Sequence, residues 1–70
     1  MIRHKKELAE FGATLKRIRL EKNLTQQDLS GLMDVDIRMI RYYETGTYNP
    51  TLNTIIGLAK ALKIDAKELV

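Results

Sequence analysis

TQQDLSGLMDVDIRMIRYYETG, the stretch Thr25–Gly46, contains two short helical patterns with almost no residues between them. The apolar positions of these patterns are Leu29, Leu32, Met33, Val35, Ile40 and Tyr43. The join at Asp34-Val35 is too short to let two helices lie antiparallel, so we expect them to cross at a steep angle. Helices that cross steeply over a three- or four-residue turn form a helix-turn-helix, and we predict that motif here.

Polar residues that can cap helices delimit both patterns. Thr25 is a good N-cap, and Asp28 three residues later completes a short form of the capping box. Asp36 can cap the second helix in the same way, which places that helix at residues 36–44. Gly46 closes it, because glycine adopts the left-handed C-cap conformation most easily.

Further helices are predicted on both sides of this stretch. The first ends near Lys22-Asn23, a later one starts at Pro50-Thr51, and Asp65 with Glu68 repeats the cap pattern for a last one. Their apolar positions are Leu8, Phe11, Leu15, Ile18, Leu52, Ile55, Ile56, Ala59, Leu62 and Leu69. Since no alternation long enough for a strand appears, the predicted fold is all-α: one domain, residues 1–70, folded as a compact five-helix bundle.

Composition limits the class of protein. A chain of 70 residues makes one small domain, whose stability should be only a few kcal/mol. Its 12 Lys and Arg against 9 Asp and Glu give a formal net charge of +3, which suits a polyanion partner without requiring one. No apolar run approaches the ~20 residues that cross a bilayer. The basic start MIRHKKELAE lacks the apolar core of a secretory signal.

Enzymatic chemistry finds little support in the residues. The chain has one histidine, His4, in a charged terminus, and no cysteine, glycine-rich phosphate loop or paired acids in a plausible cleft. A general acid–base pair also needs a pocket, for which a small bundle has little room. The same lack of ligands argues against a metal, and no cofactor is expected.

At this point the chain resembles a known family, the Cro/C1-type (XRE-like) helix-turn-helix domain of phage repressors, restriction-modification controllers and many antitoxins. The matching run is LKRIRLEKNLTQQDLSGLM…IRYYETGTYNPTLNTIIGLAKALKIDAKEL, from Leu15 to Leu69. Its fixed points are Arg19, Leu24, Thr25, Gln26, Leu29, Ile40, Glu44, Gly46, Pro50, Leu52, Ile55, Ala59, Leu62 and Leu69. The fold that the resemblance implies, a lambda-repressor-like bundle of five helices, agrees with the periodicity.

The resemblance also implies roles for individual residues. Gln26 matches a glutamine whose amide clamps a DNA phosphate and braces the recognition helix. Arg19 and Glu44 match a pair that forms an internal salt bridge. The positions that match base-reading residues in the major groove are Ile37, Arg38, Arg41 and Tyr42. The positions that match the loop along the DNA backbone are Thr47, Tyr48 and Asn49.

Several positions depart from the family pattern. Asp34 stands where the turn usually has glycine, although aspartate tolerates a positive φ better than most residues. Asp34 and Asp36 place two acids near the start of the recognition helix, where phosphates would approach. Thr47 and Tyr48 stand where the family often has lysine or arginine. Each departure lowers the expected non-specific affinity for DNA.

Each of these residues also has a simpler interpretation. Arg38 and Arg41 could be solvated charges, but the family match favours DNA contact, since arginine can donate two bonds to guanine. Asp36 is interpreted as a helix cap in preference to a residue that reads cytosine. Tyr42 and Tyr48 stay ambiguous between exposed aromatics and phosphate donors. The segment 1–7, with Arg3, Lys5 and Lys6, fits a flexible basic arm on the DNA backbone and a solvated tail equally well.

Three functions compete. The first is a dimeric, sequence-specific transcriptional regulator, most simply a repressor, that binds an inverted-repeat operator in double-stranded DNA; it implies a cytoplasmic, nucleoid-associated protein. The second is an antitoxin that binds a toxin protein and adds DNA autoregulation. The third uses the bundle only for protein contacts. The expected homodimer interface is the C-terminal segment with Ile64, Leu69 and Val70, joined by part of the fourth helix.

Overall fold

The computed structural model describes residues 4–70, so Arg3 of the predicted basic arm lies outside the described residues. Within that range the chain forms four α-helices and one 3-10 turn. The helices are α1 (Lys5–Glu21), α2 (Gln26–Met33), α3 (Ile37–Glu44) and α4 (Leu52–Leu62), and the 3-10 turn is Ala66–Glu68. No strand occurs in the described part of the chain, which confirms the all-α prediction.

The two short helices at the centre begin directly after the predicted caps, Thr25 and Asp36. The Thr25 side chain accepts from Asp28 N–H at 2.9 Å while the Asp28 carboxylate accepts from Thr25 N–H at 2.8 Å, so both halves of the capping box form. Asp34 ends α2 in the left-handed conformation, with φ 55°. Asp36 caps α3 through Arg38 N–H at 2.8 Å. The connection therefore spans residues 34–36, the length of a helix-turn-helix turn.

The fifth predicted helix is wrong: the segment after α4 makes only a 3-10 turn. Its caps do form, because the Glu68 carboxylate accepts from Asp65 N–H at 3.2 Å. The hydrogen bonds span three residues instead of four, however, from Glu68 N–H to the Asp65 carbonyl and from Leu69 N–H to the Ala66 carbonyl. So short a segment needs only this tight turn to return Leu69, which is 3% exposed, to the core.

The core gathers the inward faces of all four helices. Its buried members are Phe11, Leu15, Ile18, Leu29, Ile40, Tyr43, Leu58, Ala59, Leu62 and Leu69. Three residues predicted on apolar faces point outward instead: Leu32 is 60% exposed, Leu52 72% and Ile56 38%. An apolar residue at the edge of a helical stripe can lie on either side of the boundary between core and solvent, which periodicity alone does not resolve.

Gly12 sets the distance between α1 and α3. A Cβ atom at this position would lie 2.4 Å from the Glu44 carbonyl oxygen and 2.6 Å from that of Tyr43. Both are backbone atoms at the C-terminal end of α3, so neither can move aside cheaply. Glycine at this position therefore allows the close packing that fixes α3 against the longest helix.

Candidate nucleic-acid interface

The predicted base-reading residues share the outward side of α3 but differ in exposure. Arg38 and Arg41 are exposed, whereas Ile37 and Tyr42 are half-buried. Ile40 and Tyr43, on the opposite side, are in the core. The helix thus presents two guanidinium groups to solvent from a rigidly packed backbone, which is the arrangement that a major groove admits.

Arg38 forms a bidentate ion pair with the residue that caps its own helix. Its Nε donates to Asp36 Oδ1 at 3.1 Å and its Nη2 donates to Oδ2 at 3.0 Å. The same Oδ1 accepts from Arg38 N–H. The Arg38 side chain, followed by its backbone N–H, lowers the pKa of Asp36 to about 2. Asp36 is therefore ionised at neutral pH, and the predicted cap is also the partner of a predicted reader.

Arg41 is held by a residue of the preceding helix. Its Nε donates to Gln26 Oε1 at 3.3 Å, and Gln26 Nε2 donates to Glu44 Oε1 at 3.0 Å. Gln26 is half-buried at the first position of α2, directly after its cap. A helix N-terminus favours an anion, so the same amide lies where a phosphate would bind. One side chain thereby connects the exposed face of α3 to its interior.

The interior end of this chain of contacts is an ion pair between α1 and α3. Arg19 Nε lies 2.6 Å from Glu44 Oε2, and the two side chains are only 6% and 3% exposed. Arg19 Nη1 also donates to the Leu24 carbonyl at 2.7 Å, so the guanidinium is satisfied on both sides. The connected residues, from surface to core, are Arg41, Gln26, Glu44 and Arg19.

The loop after α3 carries the residues predicted to follow the DNA backbone. Thr47, Tyr48 and Asn49 are all exposed. The ring of Tyr48 lies against that of Tyr42, with centroids 4.6 Å apart and planes tilted by 38°. This contact ties the loop to the outward side of α3, which also carries Arg38 and Arg41.

The residues predicted for the dimer interface lie in different environments. Leu69 is buried in the core of its own chain, Ile64 is half-buried against that core, and Val70 is 81% exposed. Leu69 therefore stabilises the fold, and only its neighbours can meet a partner. Lys5 and Lys6 of the predicted arm are exposed in the first turn of α1.

Two further features bear on other kinds of site. A groove of about 430 Å³ opens between α1 and the C-terminal segment, and none of its lining residues belongs to α2 or α3. In residues 4–70 there is neither a cluster of His, Cys, Asp or Glu fit to hold a metal nor a helix long and apolar enough to cross a membrane.

The pairing of both α3 arginines with neighbouring side chains was not predicted from the sequence. Asp36 and Arg38 are two residues apart, a spacing that does not bring side chains together within a helix. The cap residue lies outside the helix, with extended backbone, and this allows its carboxylate to reach back to Arg38. The signal available was an acidic N-cap followed by arginine at the second helical position.

Comparison with known proteins points to one family. A helix-turn-helix family matches residues 15–69. The cryptic phage CTXphi transcriptional repressor RstR of Vibrio cholerae is 32% identical over 86% of this chain, which spans 54% of the repressor's length.

Two solved structures are similar to this chain in both fold and sequence. The restriction-modification controller protein C.AhdI of Aeromonas hydrophila has a TM-score of 0.90 and 35% identity, over 93% of this chain and 98% of that one. The controller protein C.Esp1396I, a tetramer in complex with its natural 35 base-pair operator, has a TM-score of 0.79 and 28% identity, over 90% of this chain and 93% of that one.

Proposed function

The chain belongs to the Cro/C1-type (XRE-like) helix-turn-helix family of DNA-binding transcriptional regulators, and we propose that it is a repressor that binds an inverted-repeat operator. In this proposal α3 enters the major groove, where Arg38 and Arg41 contact base edges. Gln26 and the loop 47–49 contact the phosphates on either side. The observation that carries the proposal is the outward face of α3, whose two arginines are hydrogen-bonded to neighbouring side chains.

The chemistry of this face suits direct readout. Arginine recognises guanine through two parallel hydrogen bonds to O6 and N7, the commonest specific contact in the major groove. Recognition helices contact base edges mainly through their N-terminal residues, and Arg38 is the second residue of α3. Arg41 lies one turn further on, beside Gln26.

Repression, and binding of an operator by more than one copy, are supported by the relatives. RstR is a transcriptional repressor, and C.Esp1396I binds its operator as a tetramer. RstR is similar to this chain in sequence and C.Esp1396I is similar in both sequence and fold, so the same mode of action is the simplest proposal here. The antitoxin function stays a prediction, which co-purification with a toxin would test.

Selection of bound duplexes from a random pool, followed by titration of the selected duplex, tests the proposal. We expect an approximate inverted repeat whose affinity falls when Arg38 or Arg41 is replaced by alanine. Arg17→Ala is the matched control, because Arg17 is also exposed and pairs with an acid, Glu21 at 3.1 Å, but lies on α1. Selection without enrichment, or equal losses in all three variants, would contradict sequence-specific reading by α3.

A further inference from the structure

The contact between Asp36 and Arg38 has a geometry that bears on base selection. A carboxylate that accepts from Nε and Nη2 occupies one edge of the planar guanidinium. The adjacent edge, formed by Nη1 and Nη2, still carries two parallel N–H groups. Those two groups can donate to guanine O6 and N7, so Arg38 can contact a base while its hydrogen bonds to Asp36 remain.

Asp36 is itself anchored more firmly than most exposed acids. Its Oδ1 accepts from the backbone N–H of Arg38 at 2.8 Å as well as from Nε, so the carboxylate is fixed to the first turn of α3. An ordinary exposed ion pair contributes little free energy to stability, because two long side chains must be immobilised. Here the acid is short and already immobilised by capping, and only the arginine side chain loses freedom.

The same contact should limit binding to the wrong DNA. A free arginine on this face would add one phosphate contact on any duplex, and phosphate contacts carry no sequence information. Paired in this way, the Arg38 guanidinium and the Asp36 carboxylate together carry no net charge to offer to the DNA backbone. Since the pKa of Asp36 is lowered to about 2, this neutralisation holds at any pH at which the protein would bind DNA.

We propose that Asp36 is a specificity-determining positioning residue: it orients the Arg38 guanidinium toward one guanine and withholds it from phosphates. This inference rests on the proposed function, because it assumes that α3 reads DNA. In this role Asp36 favours the cognate base pair and disfavours random duplex at the same time. An acid that merely repelled DNA would weaken binding to every duplex alike.

The variant Asp36→Asn tests this division. Asparagine caps helices as well as aspartate does, so the fold should be kept, and its unfolding midpoint checks this. It has no charge and only one acceptor oxygen, so the bidentate pair is lost. Asp34→Asn is the matched control: it removes an exposed acid two residues away that pairs with no arginine in residues 4–70, and asparagine tolerates the left-handed φ of 55°.

Affinities are measured for the selected duplex, for the duplex with the Arg38-dependent base pair replaced, and for random duplex, at several salt concentrations. For Asp36→Asn we expect discrimination at that base pair to fall about three- to tenfold, the range for losing the order of one flexible side chain. Binding to random duplex should rise, with a salt slope steeper by about 0.9, the value for one phosphate contact. On an Arg38→Ala background, Asp36→Asn should leave discrimination unchanged.

Three results would overturn the proposal. The Asp36→Asn variant could discriminate between the selected duplex and its base-pair variant as well as the wild type does. It could bind all three duplexes more tightly by the same factor, or it could show the same affinities as Asp34→Asn. In each of these the wild type still prefers its selected duplex, so the proposed function stands while the inference falls. A wild type with no preference among the duplexes would instead overturn the proposed function, and the inference with it.

Discussion

Gln26 donates to Glu44 and accepts from Arg41, so at the scale of single residues one amide joins the buried ion pair to the exposed face. The family resemblance placed Gln26, Arg19 and Glu44 by position, and the structure brings all three together. The resemblance implied the Arg19–Glu44 pair, but residue spacing could not show that Gln26 joins it, because residues 19, 26 and 44 meet only through tertiary packing. A contact across helices has no local spacing rule.

Glu44→Gln should destabilise the protein strongly. The change leaves the Arg19 guanidinium, 6% exposed, without its counter-charge, and breaking a buried pair in this way costs about 3–5 kcal/mol. That approaches the whole stability expected of so small a domain. Urea unfolding measures the loss. Glu21→Gln is the control: its pair with Arg17 is 60% exposed on both sides and should be worth about 0–1 kcal/mol. Equal unfolding midpoints for the two variants would contradict the prediction.

Gln26→Ala should weaken binding to cognate and random duplexes by about the same factor. A phosphate contact adds affinity without reading sequence, and the amide lies at the start of α2, where the helix favours an anion. Gln27→Ala, at the next and exposed position, should change neither affinity. Titration of both duplexes at matched salt measures the two factors. If Gln26→Ala weakened only the cognate duplex, the residue would act through Arg41 on a base.

At the level of secondary structure, the sequence predicts the features that depend on residues close together in the chain, such as helix caps. The caps at Thr25, Asp36 and Thr51 form because each side chain meets a backbone N–H two or three residues ahead. The last predicted helix fails because a cap pattern shows where a turn starts and not how long it continues. The outward tilt of Leu52 could not be predicted, because it depends on what packs against α4.

Gly12→Ala and Gly31→Ala should change stability in opposite directions. An alanine Cβ at position 12 would meet the Glu44 carbonyl at 2.4 Å, so α1 and α3 would have to separate. Overpacking of this kind costs about 1–3 kcal/mol or more. Position 31 has nothing within 4 Å of a Cβ, and alanine in place of glycine within a helix stabilises by about 1 kcal/mol. Thermal unfolding of both variants measures the two signs, and a Gly12→Ala protein as stable as the wild type would contradict the close packing.

Arg38→Ala and Arg41→Ala separate base contacts from phosphate contacts within α3. Loss of an arginine that reads guanine should cost about 1–3 kcal/mol of binding free energy on the cognate duplex, and the preference at one base pair should relax. Loss of an arginine that contacts a phosphate should reduce the slope of affinity against salt concentration by about one unit, while the preference among base pairs is kept. The measurement is affinity for the cognate duplex and its single-base variants at several salt concentrations. If neither change alters cognate affinity, α3 is not the reading element.

At the scale of the whole molecule, a single chain is too small to span an operator with two half-sites. Its extents are 29 × 23 × 19 Å, whereas recognition helices of a dimer enter successive major grooves about 34 Å apart. Reading two half-sites with α3 therefore takes two copies of the chain. The sequence predicted a C-terminal interface, and the structure narrows the candidates, since Leu69 belongs to the core of its own chain.

The exposed apolar residues of α4 and the C-terminus are therefore the expected surface of the homodimer. Leu52 is 72% exposed, Ile56 38% and Val70 81%, and burial of such side chains against a second copy would be favourable at about 25 cal/mol per Å² of apolar area. Leu52→Gln with Ile56→Gln should leave the fold intact but weaken self-association and the cooperative filling of two half-sites. Sedimentation and titration of full and half operators measure the two effects.

Leu20→Gln is the control for this last prediction, because Leu20 is 54% exposed but lies on α1. It should alter neither sedimentation nor cooperativity. A dimer that assembles only on DNA still fits, since the two half-sites then supply the effective concentration that brings weak partners together. A wild-type protein that stays monomeric at high micromolar concentration both off and on the operator would contradict the interface. Binding to a half-site by one α3 would then be the whole of the interaction.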